Sequence, residues 1–253
     1  MVLRLFLCLD DSSLIAVIRS LATYIAVSLY VVLVGPPVLL IAVMFRQVPL
    51  LYRAGRGGVR LGVLLSGVRL RVRGEGNIQH HRAAVYAVNH TSNVEPPLLF
   101  EALHSIFPRL RVLYKAELRK LPILVRAWDL AGFVPLERAN REQSLPAIDR
   151  AAEALREGNS FLIFPEGTRS RTGALLPFKK GGFIMAIKAQ VPIVPVAITG
   201  AREAMHKGSL VIQPVTVYVQ FGRPVETAGL TLADRDTLAA AVRGKVEELL
   251  AEG

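Results

Sequence analysis

Cysteine is nearly absent from this chain: Cys8 stands alone among 253 residues. A single thiol excludes an internal disulfide and any multi-cysteine zinc site, and suits a reducing compartment. The five histidines, His80-His81 included, show no metal-ligand spacing, so the chemistry reads as metal-free. No Gly-x-Ser-x-Gly elbow is present, which removes the exposed serine nucleophile of α/β hydrolases. Internal repeats, low-complexity tracts and a linker to a second globular domain are also missing. Acids are scarce, 20 against 31 lysines and arginines. The resulting net charge of +11 invites a nucleic-acid reading. No RRM, KH, zinc-finger or helix-turn-helix pattern accompanies it, so nucleic acid is not an expected partner.

What is abundant is apolar sequence: 52% of the residues, with a mean hydropathy of +0.40. Ser20 to Phe45 carries no charge for 26 residues, more than the roughly 20 that cross a hydrocarbon core. Acids before it (Asp10, Asp11), its length and the lack of a cleavage site argue against a signal peptide. Gly35-Pro36-Pro37 interrupts the run, and adjacent prolines remove donors and crowd the preceding turn. Arg19 on one flank and Arg46 and Arg53 on the other place both flanks on the cytoplasmic side. These features favour two short helices in a re-entrant anchor over one kinked span. Seven arginines and no acid follow between Arg46 and Arg73, a stretch suited to an anionic membrane surface. Residues 1–66 therefore read as a membrane anchor with a basic juxtamembrane segment, and residues 67–253 as the globular domain. The expected location is the cell membrane, with the domain on its cytoplasmic face.

Past the anchor, strand and helix patterns alternate. Val68 to Arg73, Val85 to Val88, Arg111 to Lys115, Gly132 to Arg138, Phe161 to Phe164, Ile193 to Ile198 and Val215 to Phe221 read as strands. Helical patterns pass through Leu98 and Ile106, from an Asn140 N-cap to Gly158, through Phe183 and Ile187, and from Asp234 onward. The expected fold class is α/β, a mainly parallel sheet flanked by helices.

The stretch Val85 to Pro97 concentrates the chemistry. A buried-strand pattern ends at Asn89, which puts His90 at the carboxyl end of a strand, the edge where open α/β sheets bind ligands. Glu95 falls in the first turn of the next helix, where Pro96 and Pro97 are tolerated. A carboxylate so placed can orient one ring nitrogen and leave the other as a base. A capping histidine beside a solvated glutamate has the same spacing. Ser92 reads as a helix cap and not as a nucleophile.

Four stretches in this order, Asn89 to Glu95, Gly132 to Arg138, Phe164 to Ser170 and Val191 to Val196, resemble the glycerolipid acyltransferase family, the one that contains bacterial 1-acylglycerol-3-phosphate acyltransferase. Lys115-Ala116-Glu117-Leu118 and Phe178-Lys179-Lys180-Gly181 extend the likeness over about Gly74 to Gly200. The first motif departs in one respect: Glu95 stands where the family usually has aspartate. The resemblance implies acyl transfer from a thioester, acyl-CoA or acyl carrier protein, to lysophosphatidic acid, with glycerol-3-phosphate or another lysophospholipid as alternative acceptors. His90 is implied as the base and Glu95 as its orienter. Lys115, Arg138, Glu166, Gly167, Thr168 and Arg169 are implied at the acceptor's phosphate, with Glu166 binding a glycerol hydroxyl or holding Arg169. No metal and no cofactor beyond the acyl thioester is implied. A non-catalytic lipid-binding membrane protein is the contrasting reading.

Overall fold

The computed structural model of the chain describes residues 11–120, 122–136 and 141–252. Two helices come first, α1 (Asp11–Phe45) and α2 (Val48–Ser66). The α/β part follows as β1 (Arg69–Arg73), β2 (Val85–Val88), α3 (Glu95–Ala102), β3 (Leu110–Lys115), α4 (Pro122–Leu130), β4 (Val134–Leu136), α5 (Arg141–Arg156), β5 (Ser160–Ile163), α6 (Gly181–Ala189), β6 (Ile193–Thr199), α7 (Ala201–Ala204), β7 (Thr216–Phe221) and α8 (Arg235–Ala251).

The seven strands form one sheet in the order β1-β7-β6-β2-β5-β3-β4. Every pairing is parallel except β6 with β7. β2 is central, and its alternating side chains serve two layers. Tyr86 and Val88 enter a core shared with Leu98 and Leu99 of α3 and with Leu103 just past its end, whereas Val85 and Ala87 face Ala151 and Leu155 of α5, Phe183 of α6 and Val242 of α8. With both faces covered, the short run Val-Tyr-Ala-Val is wholly buried, which is why it reads as continuous and not as alternating.

The anchor differs from the expected break at Gly35-Pro36-Pro37. Helix α1 continues through both prolines to Phe45, and the chain reverses at Arg46, whose φ is +52°, and Gln47. Contacts with the chain that follows hold α1 on either side of the prolines: Tyr30 Oη donates to the Ala54 carbonyl at 2.9 Å, and Gln47 N–H donates to the Ala42 carbonyl at 3.0 Å. Gly57 and Gly58 let Tyr30 lie against α2; a Cβ at Gly57 would fall 2.6 Å from Tyr30 Oη. The expected strand at Gly132 to Arg138 is present as β4, while its Glu137 and Arg138, with the Asn140 cap, lie outside the described residues.

Candidate active site

Asn89 sets where β2 stops. Its buried amide copies a backbone pair across to β6, with Nδ2 donating to the Ile198 carbonyl at 3.0 Å and Oδ1 accepting the Ile198 N–H at 2.8 Å. His90 is therefore delivered at the carboxyl edge of the central strand. The neighbouring β5 ends in register, Ala87 beside Ile163, so the loop after it meets His90 directly. The Phe164 ring stacks on the imidazole, centroids 4.1 Å apart. Ser170 N–H donates to the His90 carbonyl at 2.8 Å, and His90 N–H donates to Glu166 Oε1 at 2.6 Å. Backbone and ring of His90 are thus held before any substrate arrives.

Glu95 is fully buried. Its Oε1 accepts from Thr91 N–H at 2.8 Å, Thr91 Oγ1 at 2.7 Å and Ser92 N–H at 2.9 Å, and its Oε2 lies 2.5 Å from His90 Nδ1. A capping histidine beside a solvated glutamate is therefore not what the fold contains. The longer side chain is accommodated because the turn wraps it with three donors. Ser92 is not the cap of α3: it is buried and Oγ donates to the Met205 carbonyl at 2.7 Å.

Glu166 differs from its expected place at the phosphate or against Arg169. Its two oxygens take the amides of His90 and, at 2.9 Å, of Leu176, so this carboxylate joins two loops. Burial pushes its carboxyl above the usual glutamate range, against the lowering effect of those amides. Gly167 turns with φ of +71°, and the Lys179 side chain lies over it, where a Cβ would come within 2.7 Å of Cε. Thr168 is exposed and Arg169 half-buried beside it; the Arg169 guanidinium has no ion pair among the described residues. Lys207 Nζ donates to the Arg169 carbonyl at 2.8 Å, bringing to the loop a cation that sequence reasoning missed because 38 residues separate the two. Lys115 ends β3, its side chain lying outside the described set, as does all of Arg138. No cluster of metal-ligating side chains occurs among the described residues.

A fixed imidazole–carboxylate pair stands at the sheet's carboxyl edge, beside a loop that carries Arg169. Residues 69–199, just over half of the chain, match the family model described as Acyltransferase. The chain belongs to the acyltransferase family. It is 35% identical over 154 residues to a 1-acyl-sn-glycerol-3-phosphate acyltransferase of Cocos nucifera, covering 60% of this chain and 49% of that protein. It is likewise 35% identical over 170 residues to the beta form from Homo sapiens, covering 66% and 60%. The chain thus spans about half to three fifths of the length of these curated relatives. The crystal structure of the 1-acyl-sn-glycerophosphate acyltransferase PlsC from Thermotoga maritima superposes with a TM-score of 0.76 at 28% identity, over 93% of this chain and 96% of that one.

Proposed function

We propose that the chain transfers a fatty acyl group from a thioester, on coenzyme A or acyl carrier protein, to the sn-2 hydroxyl of lysophosphatidic acid, giving phosphatidic acid in phospholipid biosynthesis. The observation that carries this reading is the buried Glu95 carboxylate 2.5 Å from His90 Nδ1. A carboxylate there accepts from Nδ1–H and leaves Nε2 with its lone pair. Nε2 takes the hydroxyl proton as the oxygen bonds to the thioester carbonyl carbon, and Glu95 stabilises the imidazolium. Collapse of the adduct breaks the carbon–sulfur bond, and the proton passes to the departing thiolate. Ser92 cannot intercept the acyl group, because its hydroxyl is buried and committed to Met205. The thioester supplies the group transferred, so no further cofactor is assigned.

The names of the coconut, human and Thermotoga relatives support the acceptor. Arg169 is assigned to its phosphate, with the turn at Gly167, Thr168, Arg138 and Lys115, because a guanidinium can fork onto two phosphate oxygens. Glu166 is a positioning residue for His90. Acyl transfer by purified protein in bilayers, measured with acyl-CoA and acyl carrier protein donors, tests the reading. Lysophosphatidic acid should outpace glycerol-3-phosphate and monoacylglycerol; preference for either of those overturns the acceptor assignment.

We assign residues 1–66 to membrane anchoring and residues 67–253 to the catalytic domain. Leu14 to Phe45 is long and apolar enough to cross a bilayer, yet α1 packs antiparallel on α2. Helix α2 is in turn fastened to the catalytic domain: Arg56 binds Glu101 of α3 through two bonds of 2.9 Å, and Tyr52 Oη donates to the Leu110 carbonyl. An upright α1 would draw Arg53, Arg56 and Arg60 of α2 into hydrocarbon, which is costly. The anchor therefore enters one leaflet and leaves the domain on the cytoplasmic face, where the acyl thioesters are.

A further inference from the structure

A cleft of about 660 Å³ opens where α1, α2, β1 and α3 meet. Arg19 of α1, Arg60 of α2 and Arg69 of β1 line it, with Glu101 of α3 as the sole carboxylate among the described residues there. That carboxylate is already engaged twice by Arg56, and Arg60 Nε adds a contact at 3.1 Å. Arg19 uses only Nε, on the Leu65 carbonyl at 3.3 Å, and its guanidinium lies close to Gly67, where a Cβ would be 2.9 Å from Cζ. Arg69 has no partner among the described residues. Charge thus converges from three separate elements without an internal counterion to match it.

The remaining lining is apolar, including Val63, Leu70 and Leu64, the last 74% exposed. Arg19 leaves α1 between Ile18 and Leu21, which are 57% and 59% exposed. A cationic recess beside an apolar, lipid-facing helix has the chemistry of one ligand class. We infer that this cleft holds the phosphate of an anionic phospholipid of the surrounding bilayer, with Arg19 and Arg69 as principal ligands, Arg60 as a third, and the acyl chains along α1.

The site is separate from the acceptor's. β1 lies three strands from β2 in the sheet, roughly 14 Å at ordinary strand spacing. The phosphate of a lysophosphatidic acid acceptor is only a few bonds from the hydroxyl at His90 and cannot occupy both places. The inference rests on reading α1 as a membrane helix and not on acyl transfer, and its test reads binding alone.

Full-length protein is floated with phosphatidylcholine vesicles, with and without phosphatidylglycerol, at an ionic strength high enough to screen long-range attraction and leave direct contacts. The double variant Arg19→Gln/Arg69→Gln is compared with Arg53→Gln/Arg71→Gln, which removes equal charge from exposed positions outside the cleft. The cleft variant should lose about tenfold or more of its preference for anionic vesicles, as expected for charged hydrogen bonds. The control should retain that preference, and millimolar inorganic phosphate should not displace wild type. Equal losses in the two variants would reduce the cleft to diffuse attraction, and displacement by phosphate would make it a free-anion site; either overturns the inference. Arg69→Gln alone, on an exposed strand face, serves if the double variant does not fold.

Discussion

At the residue scale, the reading rests on what the carboxylate does for the imidazole. His90→Ala should lower turnover by 10²–10⁴-fold, the usual range for a general base, with the circular dichroism spectrum unchanged. Retention of more than about a hundredth of wild-type turnover would contradict the role. Glu95→Gln should do comparable harm, because an amide nitrogen turned toward Thr91 and Ser92 faces their N–H groups, while one turned toward His90 meets Nδ1–H. Glu95→Asp probes reach. Aspartate at this backbone position falls short of three donors and the ring by about one methylene, a misplacement that can cost on the order of 10²-fold. An unimpaired aspartate variant would show that the turn adjusts freely.

Arg169 is tested by its partner. Arg169→Ala should raise the KM for lysophosphatidic acid about ten- to a hundredfold, as for loss of a charged hydrogen bond, and leave the thioester KM nearly unchanged. With monoacylglycerol as acceptor the loss should shrink, since the phosphate is missing. Equal losses on both acceptors would make Arg169 a support for the loop that holds His90. The His90–Glu95 pair was legible in the sequence because both residues sit in one short contiguous motif. Glu166 was legible as a member of the site but not in what it does there, since the amides a carboxylate accepts depend on how two loops meet, and periodicity carries nothing about that. Phe164 stacking and Lys207 were invisible for the same reason.

Among the elements, α2 carries the bond between anchor and catalytic domain, and Glu101 is its receptor. Burial pushes the Glu101 carboxyl up, but the hydrogen bonds and charges of Arg56 and Arg60 outweigh that and hold it below the ordinary range. A depressed acid contributes stability above its unfolded value of roughly 4.3 and loses it as pH falls through the folded value. The thermal stability advantage of wild type over Glu101→Gln, about 1–2 kcal/mol at neutral pH, should therefore shrink between pH 5 and 3. Glu166 has the opposite sign: its raised carboxyl favours the fold at low pH and loses that contribution as pH rises. A constant gap between wild type and Glu101→Gln would show that the ion pair is not what docks α2. Strands β2 to β7 were legible mainly as apolar runs, β1 as an alternation of arginines with Leu70 and Val72, and α1 through its uncharged stretch from Ser20 to Phe45. Its passage through Pro36 and Pro37 was not, because the propensity of two prolines is local, whereas the contacts of Tyr30 and Ala42 that hold the helix are not.

For the whole molecule, the question is whether α1 crosses the membrane or lies in one face of it. At 35 residues α1 is about 52 Å long, against a hydrocarbon core of roughly 30 Å. In its first half, Tyr24 Oη donates to the Leu210 carbonyl at 2.8 Å, which fixes that part of the helix to the catalytic domain. Gln47 lies beyond its far end. If α1 stood upright, Leu210 and Gln47 would be on opposite sides of the bilayer; if the anchor enters one leaflet, both stay on the side of the domain. In a Cys8→Ser background, Leu210→Cys and Gln47→Cys should both react with a membrane-impermeant maleimide added to that side of sealed vesicles. Val32→Cys, at a position 66% exposed in the protein alone, should react only after detergent is added, since lipid covers it. Reaction of Gln47→Cys only from the opposite side would make α1 a true span. The Arg56–Glu101 contact would then have to break on insertion, and the acid sensitivity expected for α2 docking would disappear in membranes while persisting in detergent.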